Sequence, residues 1–148
     1  MDELGSTQTL SSSIAYERPP DERVNWVSSI PFLAVHVVAL VGTIIFGITP
    51  VALGLFIVMV WGRIWFITAG YHRYFAHRSF KTSRAFQLFL AIGGVMCVQK
   101  GPLWWAGHHR EHHRTSDTED DVHSPLKGFW WSHVGWILCD KFTEPPLE

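Results

Sequence analysis

Apolar positions fill the middle of the chain in one long block. From Ile30 to Gly62 there is no Asp, Glu, Lys or Arg, thirty-three consecutive uncharged residues, whereas one membrane-spanning helix needs about 20. The block is too long for one untilted span and nearly enough for two short ones. Gly47-Ile48-Thr49-Pro50 places a Gly and a Pro where a helical hairpin would turn. The pattern therefore predicts a first helix over Ile30–Phe46 and a second over Val51 to about Thr68, a membrane hairpin over about 30–68. A single long helix buried in a soluble core is the competing reading, and the Gly/Pro break argues against it. A third apolar run, Ala85 to Gln99, is uncharged but only 15 residues long. That length favours an interfacial or re-entrant helix, which Gly101-Pro102 should end.

Charge placement orients these elements. Arg18 and Arg23 precede the first helix, and Arg73, Arg78, Lys81 and Arg84 follow the second, while the turn between them has no basic residue. By the positive-inside tendency both ends of the hairpin face the cytoplasm. Arg63 lies near that end of the second helix, where its long side chain can reach the headgroups, and Trp61 and Trp65 suit the same depth. The amino terminus is not a secretory signal, because Asp2 and Glu3 stand where one would be basic. Gly5, the Ser and Thr residues that follow, and Pro19-Pro20 read as a mobile tail over residues 1–23.

Composition narrows the class further. Of 148 residues, 47% are hydrophobic and 17% charged, which argues against an ordinary soluble domain, and the net charge of −1 gives no footing for nucleic acid. Cys97 and Cys139 have no metal or redox spacing and read as small buried residues.

The nine histidines are unevenly placed. One group is His72-Arg-Tyr-Phe-Ala-His77, and a second is His109-Arg-Glu-His112-His113 with His108 just before it. Positions 109, 112 and 113 are spaced i, i+3 and i+4, which a helix puts on one face. Imidazole suits iron, zinc or copper. The five-residue spacing of the first group does not align on a straight α-helix, and fits a helix end followed by a turn. Were the run between the groups to cross the bilayer, they would sit on opposite sides and could not share a metal, so it is placed in the cytoplasmic leaflet. His36 and His133 read as satisfied polar residues. His108 to His112 formally matches the inverted zinc-protease motif H-x-x-E-H, with Glu111 as base, but that reading leaves His72 and His77 unexplained. No Glu-x-x-His of the soluble diiron bundles occurs.

At this point the chain resembles a known family. Thr68-Ala-Gly-Tyr-His72-Arg-Tyr-Phe-Ala-His77-Arg-Ser-Phe is similar to the first histidine box of membrane-bound acyl-CoA and acyl-lipid Δ9 fatty acid desaturases. Trp105-Ala-Gly-His-His109-Arg-Glu-His112-His113-Arg-Thr-Ser-Asp117 is similar to their second, and Gly128-Phe-Trp-Trp-Ser-His133-Val-Gly-Trp136 to the segment after it. The resemblance covers roughly residues 26–141 and implies an all-α membrane protein: a two-helix transmembrane hairpin, an interfacial helix, and a cytoplasmic helical cap carrying boxes 72–77 and 109–113. It implies His72, His77, His109, His112 and His113 as iron ligands of a two-iron centre. The implied reaction is O2-dependent insertion of a cis double bond into a saturated fatty acyl chain. A methylene has no acidic proton, so a redox metal must supply the oxidant. Arg73 and Arg110 would hold a thioester headgroup or anionic lipid, or serve as plain juxtamembrane cations. His123 and Asp117 are candidates for supporting or substrate-side roles. His123 departs from the family's usual Asp-Pro-His, and the run Asp117, Glu119, Asp120, Asp121 reads by default as a solvated acidic loop.

Partners implied are the lipid bilayer, an acyl-CoA or acyl-lipid substrate, and a separate electron donor such as ferredoxin or cytochrome b5, since no flavin, haem or iron–sulfur motif is present. The family's third box, beyond a second helix pair, does not occur in these residues. The expectation is a truncated or partial desaturase, inactive as the isolated chain. The alternatives are a non-catalytic membrane-anchored metal-binding fragment, or a histidine-box hydroxylase.

Overall fold

Local capping sets where the first long helix begins and ends. Asn25 accepts a hydrogen bond from the Ser28 N–H (3.1 Å) and starts α1, Trp26–Phe46, four residues ahead of the expected start. The helix stops at Gly47, whose φ of +70° favours glycine. Thr49 then accepts from the Ala52 N–H (3.1 Å), and Pro50 occupies the first position of α2, Pro50–Trp65. The break thus falls where the Gly and Pro placed it. This is a computed structural model, and it describes residues 18–146. Among them the fold is all helical, without strands beyond an isolated bridge between Val24 and Cys139.

Within α1 only Ser29 is buried, and within α2 nothing is. Residues such as Val38, Ile44 and Phe56 are more than 60% exposed. Apolar surface on that scale needs an apolar surrounding. The 21 residues of α1 and the 27 of Pro50–Ala76 are long and apolar enough to cross a membrane.

Beyond Trp65 the second rod does not end in a turn. It continues over Phe66–Ala76 as a π-helix, with i→i+5 hydrogen bonds such as His77 N–H to His72 O (3.0 Å). Helix α3, Arg84–Val95, is capped by Ser83 and lies on this segment. The approach is close because Gly93 and Gly94 face it. A methyl on Gly93 would stand 2.0 Å from the Phe66 ring, and one on Gly94 2.1 Å from Tyr71. Tyr71 is fully buried and donates its hydroxyl to the Lys100 carbonyl (2.8 Å). The third apolar run is therefore helical only as far as Val95. Turns with positive φ at Val98 and Lys100 follow, and Pro102 opens the next helix rather than merely closing this one.

Helix α4, Pro102–Thr115, and the short α5, Phe129–His133, build the remaining core around Trp104, Ala106, Val122, Trp131 and Cys139. Most of the proposed tail, residues 1–17, lies outside the described residues. From Arg18 onward the chain is tied to this core. Arg18 covers the Trp131 ring (5.2 Å), and Asn25 N–H bonds Leu138 O (2.8 Å). The buried Glu22 carboxylate accepts from Lys127 (3.0 Å) and Lys141 (2.6 Å). These bonds hold the start of α1 against the histidine-bearing half.

Candidate metal centre

The first box is aligned by the unusual helix that carries it. A π-helix, closed by i→i+5 hydrogen bonds, takes more residues per turn than an α-helix, so His72 and His77 come round toward the same face, their ring centroids 4.5 Å apart. The helix ends at Ala76 and His77 caps it in the turn that follows, as the spacing suggested, with π register in the residues before it. The wider register does what a straight α-helix would not.

Helix α4 brings the second box against that face. His109 is the hub: its Nε2 lies 3.2 Å from Nε2 of His77 and 3.1 Å from Nε2 of His113. The His72 and His109 ring centroids are 4.7 Å apart. The candidate ligand atoms of His72, His77, His109 and His113 all fall within 4.8 Å of one another. Nitrogens sharing one ion at about 2.1 Å sit about 3.0 to 3.4 Å apart, so the His109 pairs already have the spacing of a common ion. Burial pushes the His109 pKa down to about 3, and the neighbouring His72, His113, His77 and His112 act in the same direction. The hub is a neutral imidazole with a lone pair to give. Nδ1 of His72 is buried with no hydrogen-bond partner, an arrangement that costs free energy unless something binds there. Trp105 backs the hub, stacked on His109 at 4.6 Å and fixed by its own bond to Gln99 (3.1 Å). An all-imidazole donor set of this kind fits a first-row transition metal.

His112 does not join the other four. Its ring faces the loop after α4, where Nδ1 lies 3.0 Å from both carboxylate oxygens of Asp121. His123 stacks on its face at 4.1 Å. His112, Asp121 and His123 form a second group able to hold a metal. Box two is thus divided, because positions i+3 and i+4 diverge by about 100° around a helix.

The acidic run is not uniformly solvated. Glu119 and Asp120 are exposed, but Asp121 is fully buried. Burial alone would raise its pKa; the hydrogen bonds from His112 and from the His123 and Asp117 N–H groups hold it below the usual value instead. Asp117 contributes that N–H (3.1 Å) from a positive-φ turn, and its side chain is exposed. Asp121 was hidden in the sequence by its acidic neighbours. Its distance from His112, nine residues, was the available signal.

The other histidines have structural partners. His36 bonds the Phe32 carbonyl (2.7 Å), and His133 stacks on Phe129. His108 is buried, bonded to Trp104 O (3.0 Å) and packed on the Trp104 ring. Glu111 pairs with Arg114, so the zinc-protease motif forms no site. Arg73 is exposed beside His72. Arg110 lines an open cleft of about 580 Å³ with Tyr74, Phe75, Arg78, Phe80 and Lys81. Cys97 and Cys139 are free thiols, Cys139 buried and Cys97 partly so.

Fold and site together describe a helical protein with two helices long and apolar enough to cross a membrane and a cluster of imidazoles able to hold a metal at the end of the second. The fatty acid desaturase family model matches residues 24–142. The chain is 42% identical to the sn-1 stearoyl-lipid 9-desaturase of Anabaena variabilis, over 78% of this chain and 43% of that protein. It is 40% identical to an acyl-CoA desaturase of Cyprinus carpio, over 86% of this chain and 39% of that one. With the human stearoyl-CoA desaturase it shares 40% identity over 66% of its length and 29% of the relative's. No solved structure matches. The chain belongs to the fatty acid desaturase family. It spans less than half the length of these relatives.

Proposed function

We propose that these residues form the first two histidine boxes of an O2-dependent desaturase that places a cis double bond, at Δ9, in a saturated acyl chain. The observation that carries the reading is the convergence of imidazoles from two segments more than thirty residues apart. His72, His77, His109 and His113 would hold one iron, and His112 would contribute to the two-iron centre from its own side. When bound, iron supplies the oxidising power that an unactivated methylene requires. In the overall reaction the chain loses two vicinal hydrogens. O2, two electrons and two protons carry the balance to two water molecules.

The protein's own groups supply binding and orientation. The neutral His109 keeps its lone pair available, and Trp105 stacks on it with Tyr71 packed against Trp105 in turn. The cations of the cleft, Arg78, Lys81 and Arg110, together with Arg73, suit the anionic headgroup of an acyl-CoA or acyl-lipid. The name of the Anabaena variabilis relative specifies a stearoyl-lipid and position 9, which supports both the lipid class and the regiochemistry. The electrons come from a separate donor of the ferredoxin or cytochrome b5 kind. α1 and α2 form the transmembrane hairpin, and α3 lies in the cytoplasmic leaflet. The basic residues at both ends of the hairpin support a cytoplasmic position for the boxes.

The test is expression of the protein, from its full coding region, in a desaturase-deficient host, with lipid mass spectrometry locating double bonds. A new cis bond at carbon 9, lost in His109→Ala, is the expected result. A bond elsewhere removes the Δ9 assignment alone. An iron-loaded protein that yields no unsaturated product removes the desaturase reading.

A further inference from the structure

Asp121 sits where a ring-orienting carboxylate would sit. It is fully buried, and both oxygens lie 3.0 Å from His112 Nδ1. It is held there by two backbone donors, the Asp117 N–H on one oxygen (3.1 Å) and the His123 N–H on the other (3.1 Å). Asp117 takes a φ of +62° in the turn that presents its N–H. A carboxylate bonded to two N–H groups can only accept from the third partner, so His112 Nδ1 carries the hydrogen. The lone pair is then confined to Nε2. The ring plane is set independently. His123 stacks on it at 4.1 Å with planes 28° apart, and Trp136 stands behind His123 at 5.5 Å. One edge and one face of His112 are therefore occupied, leaving Nε2 as the nitrogen able to take a metal.

We propose that Asp121 is a positioning residue that fixes His112 in its Nδ1–H tautomer and turns Nε2 toward a metal ion, with His123 as the wall that holds the ring plane. The inference rests on the reading of His112 as an iron ligand. Carboxylate partners of this kind fix the tautomer of a metal-bound histidine and raise its basicity, and their loss typically weakens metal binding about 10- to 100-fold.

The experiment uses the full protein in lipid nanodiscs with 15N-labelled histidine. His112 is assigned by the signals that vanish in His112→Gln. In the metal-free wild type His112 should show Nδ1 protonated and Nε2 bare; the opposite tautomer overturns the proposal without any variant having to fold. In Asp121→Asn, whose amide can donate to the ring, the Nε2–H form should appear. Co2+ is then titrated, and broadening of the His112 ring signals reads binding at that nitrogen. The variant should need about 10- to 100-fold more Co2+ at His112, while the response at His109 stays where it was. Asp121→Glu, if it folds, should restore part of the Nδ1–H population. An unchanged tautomer, or an unchanged Co2+ response at His112, assigns Asp121 a purely structural role and overturns the proposal. A wild-type His112 with the expected tautomer that ignores Co2+ overturns the ligand reading and the proposal with it.

Discussion

The two halves of the molecule treat the same residue types in opposite ways. In α1 and α2, glycines have open space around them and large apolar side chains face outward; Gly42, Gly54 and Gly62 have nothing within 4 Å of an added methyl. In the histidine-bearing half, Gly93 and Gly94 are pressed against aromatic rings, and Trp131, Tyr71 and Leu90 have no exposed surface. The first half needs its surroundings to cover it, while the second has an interior of its own. The candidate metal-binding groups lie at the junction, where a rod with an apolar exterior meets a core packed to protein density.

That contrast can be tested by making matching changes on both sides. The largest effect is expected where the halves are fastened together. Glu22→Ala takes a buried carboxylate away from Lys127 and Lys141 and should cost about 3 kcal/mol, near the low end for breaking a buried pair because Lys141 is partly in water. Thermal unfolding in nanodiscs measures it; a change below about 1 kcal/mol, the range of surface pairs, would show the clasp to be ornamental. Next comes Gly94→Ala, whose methyl would meet Tyr71 at 2.1 Å and should cost about 1–3 kcal/mol through overpacking. The same assay on Gly54→Ala supplies the smallest effect, a change within about 1 kcal/mol and stabilising in sign, since a helix interior prefers Ala where there is room. If the two glycine variants behave alike, the halves are not packed as differently as described.

Between these lies a pH effect confined to the packed half. The folded His109 pKa of about 3 lies below its ordinary value of 6.5, so the unfolded chain takes up the proton first. Metal-free protein should therefore hold its stability above about pH 6.5 and lose it progressively as pH falls toward 3. His109→Gln should flatten that slope. A wild-type melting temperature that stays constant from about pH 7 to about pH 5 contradicts the neutral hub.

Much of this was legible in the sequence, and the misses have physical causes. Length and apolarity announce spans because a bilayer imposes them, and Gly47 and Pro50 mark the break through backbone geometry that no neighbour can override. The histidine spacings revealed chemistry but not direction. A gap of five residues is ambiguous until the hydrogen-bond register is known, and nothing in the spacing announces the π-helix of Phe66–Ala76. The partner that His112 finds on its side of the helix is Asp121, which looks like its acidic neighbours until one sees which of them is buried. Glu22 was likewise invisible, because its lysine partners lie 105 and 119 residues away.

The continuous rod from Pro50 to Ala76 has a mechanical consequence. Its α-helical part, Pro50–Trp65, is about 24 Å long at about 1.5 Å per residue, and a tilt of about 5° about its far end would carry the other end about 2 Å. That exceeds the tolerance of any metal–nitrogen bond. Bilayers of different thickness tilt such rods differently, and His72 rides on the last turn. The clasp at Glu22 and the wedge of Gly93 and Gly94 act as the bearings of a lever. In the proposed enzyme they would decouple ligand spacing from lipid thickness, so that a cell remodelling its membrane would not detune the centre.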